Sequence, residues 1–278
     1  MRAWCLIRPQ PVYRREAFCE GLARVGFDVR TDTPRDPHAG DVLLVWNRYG
    51  ATEPLADAFE AAGGTVLVAE NGYLDPDRHG RRSWYALARG GHNGQGEWPD
   101  GGPARWAAIA PRLGVEVQPW RTAGTHVLVV PSRSFGRRGH VMPADWAART
   151  VAQLAGLTPR PIRVRAHPGN DAPAVPLADD LRDCWAVVTW YSSAAVHALI
   201  RGIPVICAAP AWIAKAACPG RLEDIEAPPL VERAPVLERL AWAQWHVEEI
   251  ARGEPFAQLL PATGQGQVPR AAGSLRAR

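Results

Sequence analysis

Lysine is almost missing from this chain. Of its 32 lysine and arginine residues only Lys215 is a lysine, so positive charge is carried by a planar group suited to bidentate pairing with phosphates and carboxylates. Part of that bias reflects GC-rich coding, which equally supplies the alanine and proline. No apolar run is long enough to span a bilayer, and the start Met1-Arg-Ala-Trp-Cys-Leu-Ile7 does not have the build of a signal peptide. A soluble, cytoplasmic protein is expected. The five cysteines (Cys5, Cys19, Cys184, Cys207, Cys218) are scattered without metal spacing and read as reduced thiols, four of them in apolar contexts. Gly-x-x-x-x-Gly-Lys-Ser/Thr is absent, which excludes a P-loop. There is no internal repeat beyond the pseudo-symmetry of two similar α/β halves.

What is present is a globular composition. The chain has 278 residues with 47% apolar content, enough for one large domain or two small ones with a sizeable core. The net charge of +4 permits nucleic acid as a partner without requiring it. Arginines cluster at Arg78, Arg81 and Arg82 and at Arg133, Arg137 and Arg138.

Strands and helices alternate along the first part. Arg2 to Ile7, Phe27 to Thr31, Asp41 to Trp46 and Thr65 to Ala69 read as strands, the third as a continuous apolar run of the kind that parallel sheets bury. Helices are expected at Arg14 to Val25 and from about Glu53 to Ala62, the latter stopped by Gly63-Gly64. This alternation predicts right-handed crossovers and a doubly wound first domain. Residues Asp77 to Gly102 read as one long glycine-rich loop. Its Trp84, His92, Asn93 and Trp98 suit either an acceptor-binding loop or a surface insertion. A helix from about Ala104 to Leu113 follows, and a boundary near Gly114 to Gly124 is marked by Pro119 and Gly124. The expected domains are thus residues 1–120 and 121–260, followed by a disordered tail at 261–278. In the second domain His126 to Val130 is a strand, Pro131-Ser-Arg-Ser-Phe-Gly-Arg-Arg-Gly139 a loop able to cradle a diphosphate, and Pro143 to Ala155 a helix. Leu237 to Ala251 has helical apolar spacing, with Trp242, Trp245 and His246 read as packing residues.

The chemistry concentrates between Arg163 and Ala208. Arg163-Val-Arg-Ala-His-Pro-Gly-Asn170 reads as a strand leaving through His-Pro. Cys184 to Trp190 is a second strand running into Tyr191-Ser192-Ser193, which opens a helix, and Arg201-Gly-Ile-Pro204 turns into a third. Free amides, hydroxyls and the positive end of the dipole favour an anion at such a helix start. In an open α/β sheet the crevice beyond the strand carboxyl ends is the ligand site. Taken alone, either feature is equally a structural cap or a way to leave a strand. A carboxylate also stands at a strand end in Glu70-Asn71-Gly72-Tyr73-Leu74-Asp75, where it fits a general base or a solvated turn.

These residues together resemble the GT-B glycosyltransferases of the bacterial polysialyltransferase and capsule-transferase type, marked by an HP motif (here His167-Pro168) and an SS or ST motif (here Ser192-Ser193). The resemblance implies an α/β, GT-B architecture of two Rossmann-like domains with a cleft between them. The second domain would hold most of the nucleotide-sugar donor, through Ser132, Arg133, Arg165, His167, Ser192 and Ser193. The family's D/E-D/E-G motif supplies a base from the first domain, and Glu70-Asn71-Gly72 matches its first and last positions. Because Asn71 replaces the middle acid, the base stays open between Glu70 and Asp75. Asn71, Tyr73, Arg81, Arg82, His92 and Asn93 are the candidate acceptor-binding residues.

The expected reaction moves a sugar from the donor to a hydroxyl, with His167 and the serine-bearing helix start meeting the charge of the leaving phosphate. It requires no metal and no cofactor beyond the nucleotide sugar as co-substrate. Basic clusters and an aromatic, glycine-rich loop suit a polyanion, which favours a hydroxymethylated pyrimidine in phage DNA as acceptor, with no membrane partner. The alternatives are a surface-polysaccharide, capsule-type transferase and a non-catalytic nucleotide- or DNA-binding α/β module.

Overall fold

A computed structural model describes residues 1–74, 83–136, 139–167 and 175–260. The expected tail at 261–278, the turn after His167, and Asp75, Arg78, Arg81, Arg82, Arg137 and Arg138 lie outside the described residues. Among the described residues no helix is long and apolar enough to cross a membrane.

The first half is built from β1 (Arg2–Leu6), α1 (Arg15–Arg24), β2 (Asp28–Arg30), β3 (Val42–Trp46), α2 (Thr52–Ala61) and β4 (Thr65–Asn71). β5 (Trp84–Arg89) and α3 (Ala104–Leu113) follow. The second half contains β6 (His126–Val130), α4 (Trp146–Ala155), β7 (Ile162–Val164), the short α5 (Leu177–Asp180), β8 (Cys184–Thr189), α6 (Ser193–Ile200) and β9 (Val205–Cys207). The last described elements are α7 (Ala234–Ala243), β10 (Gln244–His246), α8 (Val247–Ala251) and α9 (Glu254–Leu259).

These strands form two sheets, ordered β10-β5-β4-β3-β1-β2 and β7-β6-β8-β9. In each, the first strand of the half is flanked by the second on one side and the third on the other, and these four strands are parallel. A strand buried on both faces needs apolar residues at every position, which is why β3 and β6 read as unbroken apolar runs. In the first sheet Cys5, Leu44 and Leu67 pack with Phe18 and Leu22 of α1, whereas Trp4, Leu43 and Val66 pack with Phe59 of α2 on the opposite face. The second sheet repeats the scheme. Val127, Val129 and Val188 meet Trp146 and Leu154 of α4, while Leu128 and Val187 meet Val196 and Leu199 of α6 on the other side. Cys5, Cys184, Cys207 and Cys218 are buried as free thiols.

Two expectations fail. The stretch 77–102 is not one loop, because β5 pairs antiparallel with β4 from Leu67 opposite Arg89 to Asn71 opposite Tyr85. Nor is Leu237 to Ala251 one helix: α7 stops at Ala243, and β10 pairs antiparallel with β5 before α8 begins. The break is stabilised by Arg105, whose guanidinium donates to the Ala241 and Gln244 carbonyls and forms a bidentate pair with Glu249. That satisfies carbonyls which a helix end leaves without partners. Residues 244–260 therefore sit with the first sheet, not the second, so the chain returns to the first half after β9 and α7. Trp245 is buried against Val247, Ile250 and Phe256 in that half's core, in keeping with a packing role.

The return crossing is locked by a close helix contact. A Cβ on Gly21 of α1 would stand 1.9 Å from the Ile250 carbonyl oxygen and 2.7 Å from the Phe256 ring. Gly21→Ala gains about 1 kcal/mol of helix propensity but must push α8 away, so a net loss of about 1–3 kcal/mol is expected. Urea unfolding measures it, and a more stable variant would mean that α8 is not docked on α1.

Candidate active site

Parallel strands bring their carboxyl ends to one edge of a sheet, and here the two such edges face each other across a cavity of about 200 Å³. From the first half it is lined by Trp46 at the end of β3 with Asn47 and Tyr49 beyond it, by Glu70 to Tyr73 at the end of β4, and by His92 and Asn93. From the second half come Ser132, Arg133 and Phe135 after β6, His167 after β7, Tyr191 to Ser193 after β8, and Trp212.

Glu70 is held at a defined orientation. Its Oε1 accepts hydrogen bonds from the Tyr73 hydroxyl at 2.7 Å and from the Asn93 backbone N–H at 2.9 Å. Asn93 takes a left-handed backbone with φ of +55° to present that amide. Both donors fall on the same oxygen, so among the described residues Oε2 has no partner and is left to the cavity. Burial pushes the Glu70 carboxyl up to about 6, while the Tyr73 and Asn93 hydrogen bonds hold it back. Tyr73 is itself raised well above its ordinary range by burial and by the adjacent carboxylate. His92 is buried, and its Nδ1 accepts the Arg48 N–H at 3.2 Å, which leaves any ring proton of the neutral form on Nε2. Arg48 is anchored in turn by Asp57 at 2.6 Å and Glu60 at 2.7 Å.

On the facing side, Ser192 caps α6, its Oγ accepting the Ala194 N–H at 3.3 Å. Ser193 is at the first helical position, where the helix offers its N–H no acceptor, and its hydroxyl has no partner among the described residues. Ser132 is buried, accepting the Tyr191 N–H at 3.0 Å and donating to the Tyr191 carbonyl. Its hydroxyl thus ties the end of β6 to the end of β8. His167 lies three residues beyond the short β7, half-buried. Burial and then the nearby Arg133 lower its pKa, so the ring is neutral at pH 7. Tyr191 is pushed up to about 12 by burial and then by the charge of Glu70.

The expected residues therefore separate into groups. Glu70, Asn71, Tyr73, His92, Asn93, Ser132, Arg133, His167, Ser192 and Ser193 come together around one cavity. Tyr73 and Asn93 spend hydrogen bonds on Glu70, so they position the acid as well as line the wall. Arg165 does not join them: its guanidinium pairs with Asp180 and donates to the Val175 carbonyl at 2.8 Å, which binds β7 to α5. Asp75, Arg81 and Arg82 are outside the described residues. Sequence reasoning missed Trp46, Asn47, Tyr49, Phe135, Tyr191 and Trp212. The first three were within reach, since they close or follow β3 as Glu70 closes β4 and the same strand-end rule applies. Tyr49 and Phe135 stack across the two halves with centroids 5.6 Å apart and planes 11° from parallel, a contact that no local pattern foretells. Among the described residues no three His, Cys, Asp or Glu side chains are grouped to hold a metal ion.

Two α/β sheets of this order, joined edge to edge around a cavity, define the GT-B type of fold. No family model and no curated protein matches the sequence. Among solved structures the chain is similar to the β-Kdo 2,4-transferase of KpsC from Thermosulfurimonas dismutans, with TM-score 0.54 and 15% identity over 87% of this chain and 90% of that one. It is also similar to the β-Kdo 2,7-transferase of KpsC from the same organism, with TM-score 0.52 and 13% identity over 91% and 98%. At such identity the likeness establishes the fold.

Tyr73→Phe removes a hydrogen bond that favours the ionised Glu70, so the Glu70 pKa should rise further above about 6. Titration of the side-chain carboxyl by carbon-13 NMR measures it; an unchanged or lower value would contradict the described geometry.

Proposed function

We propose that the protein is a glycosyltransferase of the capsule type, moving a sugar from a nucleotide-sugar donor to a hydroxyl of a surface polysaccharide. One observation carries this reading. An acid from one sheet and a histidine with a serine-bearing helix start from the other line the same cavity, in a chain whose fold is that of two Kdo transferases.

In the proposed reaction the Oε2 of Glu70 takes the proton of the acceptor hydroxyl while the acceptor oxygen attacks the anomeric carbon, and the bond from that carbon to the donor phosphate oxygen breaks. The departing phosphate carries the negative charge. It is met by the Ser193 hydroxyl and amide, the positive end of the α6 dipole, Arg133, and an N–H of His167. A neutral imidazole still carries one N–H with which to donate such a hydrogen bond, and the arriving anion raises its pKa, which strengthens the bond. Asp75 remains the other candidate base.

A DNA acceptor has less behind it. Arg133 is the only arginine on the cavity wall among the described residues, and the two fold relatives are Kdo transferases. The rest of the wall, rich in tryptophan, tyrosine, asparagine and serine, suits sugar rings and their hydroxyls.

Glu70→Gln should lower kcat by about 10²–10⁴-fold, the usual contribution of a positioned base, in an assay of nucleotide release from a panel of nucleotide sugars with glycan acceptors. A base is active only when ionised. The wild-type rate should therefore fall as pH drops through about 6, the value to which burial brings Glu70. Near-normal turnover by Glu70→Gln would remove Glu70 from this role. The same assay applied to His167→Ala tests the leaving-group side, where a strong loss of kcat is expected with the melting temperature retained.

A further inference from the structure

We infer that Asn47 reads a second hydroxyl of the acceptor, adjacent to the one that Glu70 deprotonates, so that the acceptor is a sugar ring presenting two neighbouring free hydroxyls. The inference rests on the glycosyltransferase reading above and narrows its substrate class.

In the order β2-β1-β3-β4 the strands β1 and β3 lie side by side, yet their connections lead to opposite faces of the sheet. This is the switch point at which open α/β sheets bind ligands. The second sheet has the same switch between β6 and β8, where Ser132 and Tyr191 line the cavity. Asn47 is the first residue after β3 and holds the corresponding place in the first half.

Its backbone is fixed in a conformation that side-chain-bearing residues rarely adopt. The φ is +61°, and the frame around it enforces that value. The Asn47 N–H donates to the Ala69 carbonyl at 2.9 Å, and just beyond it the Thr52 hydroxyl donates to the Tyr49 carbonyl at 2.9 Å. The same hydroxyl accepts the Tyr49 N–H at 3.1 Å and closes the loop. None of this uses the side chain. Its amide, half-buried on the cavity wall, has no hydrogen-bond partner among the described residues. An amide on a cavity wall that spends neither its donors nor its acceptor on the protein is available to a ligand that displaces water from it.

What that ligand is follows from the neighbours. Trp46 pairs with Ala69 in the β3–β4 register, so Asn47 stands beside Glu70 on the adjacent strand end. Adjacent strands are about 4.8 Å apart, which lets an amide and a carboxylate engage two neighbouring oxygens of one ring. The flanking Trp46 and Tyr49 supply flat faces. Trp46 is held by edge contacts with Tyr13 at 4.7 Å and Tyr85 at 6.1 Å, and Tyr49 by its stack on Phe135. Rigid aromatic faces beside fixed polar groups fit the apolar C–H face and polar rim of a pyranose. A hydroxymethylated pyrimidine offers an amine or carbonyl at C4 beside its hydroxymethyl group rather than a second hydroxyl, so deleting a neighbouring sugar hydroxyl distinguishes the two acceptor classes.

The test compares methyl pyranosides with their monodeoxy analogues as acceptors, using wild type and Asn47→Gly with whichever nucleotide sugar the wild type consumes. Glycine accepts a φ of +61° without strain, so the variant deletes the amide while sparing the fold, and thermal melting verifies this. In wild type, deleting the hydroxyl next to the glycosylated one should lower kcat/KM at least about tenfold, the effect of one hydrogen bond lost from a site built for it. In Asn47→Gly the parent and deoxy acceptors should become nearly equal. A deoxy penalty that persists in Asn47→Gly, or none in wild type, overturns the assignment to Asn47 alone. Better transfer to hydroxymethylpyrimidine DNA than to any glycoside overturns the acceptor class. Failure of the wild type to consume any nucleotide sugar overturns the glycosyltransferase reading itself.

Discussion

A parallel strand can deliver its last residue only to one edge of its sheet, and the placement of chemistry in this protein follows from that constraint. Four strands of the first half and four of the second run parallel within their sheets. Their carboxyl ends carry Asn47, Glu70, Ser132, His167 and Ser192 into one cavity. No long-range fit between loops is needed to gather them, because the helices on both faces hold the sheets and the sheets aim the ends.

The electrostatics of the cavity are divided along the same line. The first half contributes the acid, raised by burial and steadied by two hydrogen bonds to a single oxygen. The second half contributes positive or donating groups: Arg133, a neutral His167 and the start of α6. A group that must accept a proton thus faces groups that stabilise negative charge. Arg165, neutralised by Asp180, serves the scaffold instead.

Much of this was legible in the residues. The continuous apolar runs of β3 and β6, the glycine stop after α2 and the serine cap of α6 each have a local cause and lie where the sequence placed them. β5 was hidden because both of its faces are buried, which erases the alternation that marks a half-exposed strand, and because glycines crowd the segment after it. Its partners are supplied from a distance, by β4 and by β10. β10 was hidden for the opposite reason. Leu237, Ala241 and Trp245 keep i, i+4 helical spacing into it, and tertiary bonds interrupt the helix, from Arg105 to the carbonyls and from the Leu74 N–H to Gln244 Oε1. In the site, Glu70, His167 and the serine pair were readable as chemistry. The stacking of Tyr49 on Phe135 was not, since it joins residues from separate sheets.

The order in which the halves are threaded bears on how the protein is made. The first sheet remains unfinished until residues 244–260 arrive, although its first strand is residue 2 to 6. During synthesis, β5 emerges with an open hydrogen-bonding edge and an apolar Trp84-Tyr85-Ala86-Leu87 run, and it keeps that edge while the whole second half is translated. Exposed edges of this kind recruit other chains. Removing residues 244–260 would thus reopen a sheet whose other strands come from the first half of the fold.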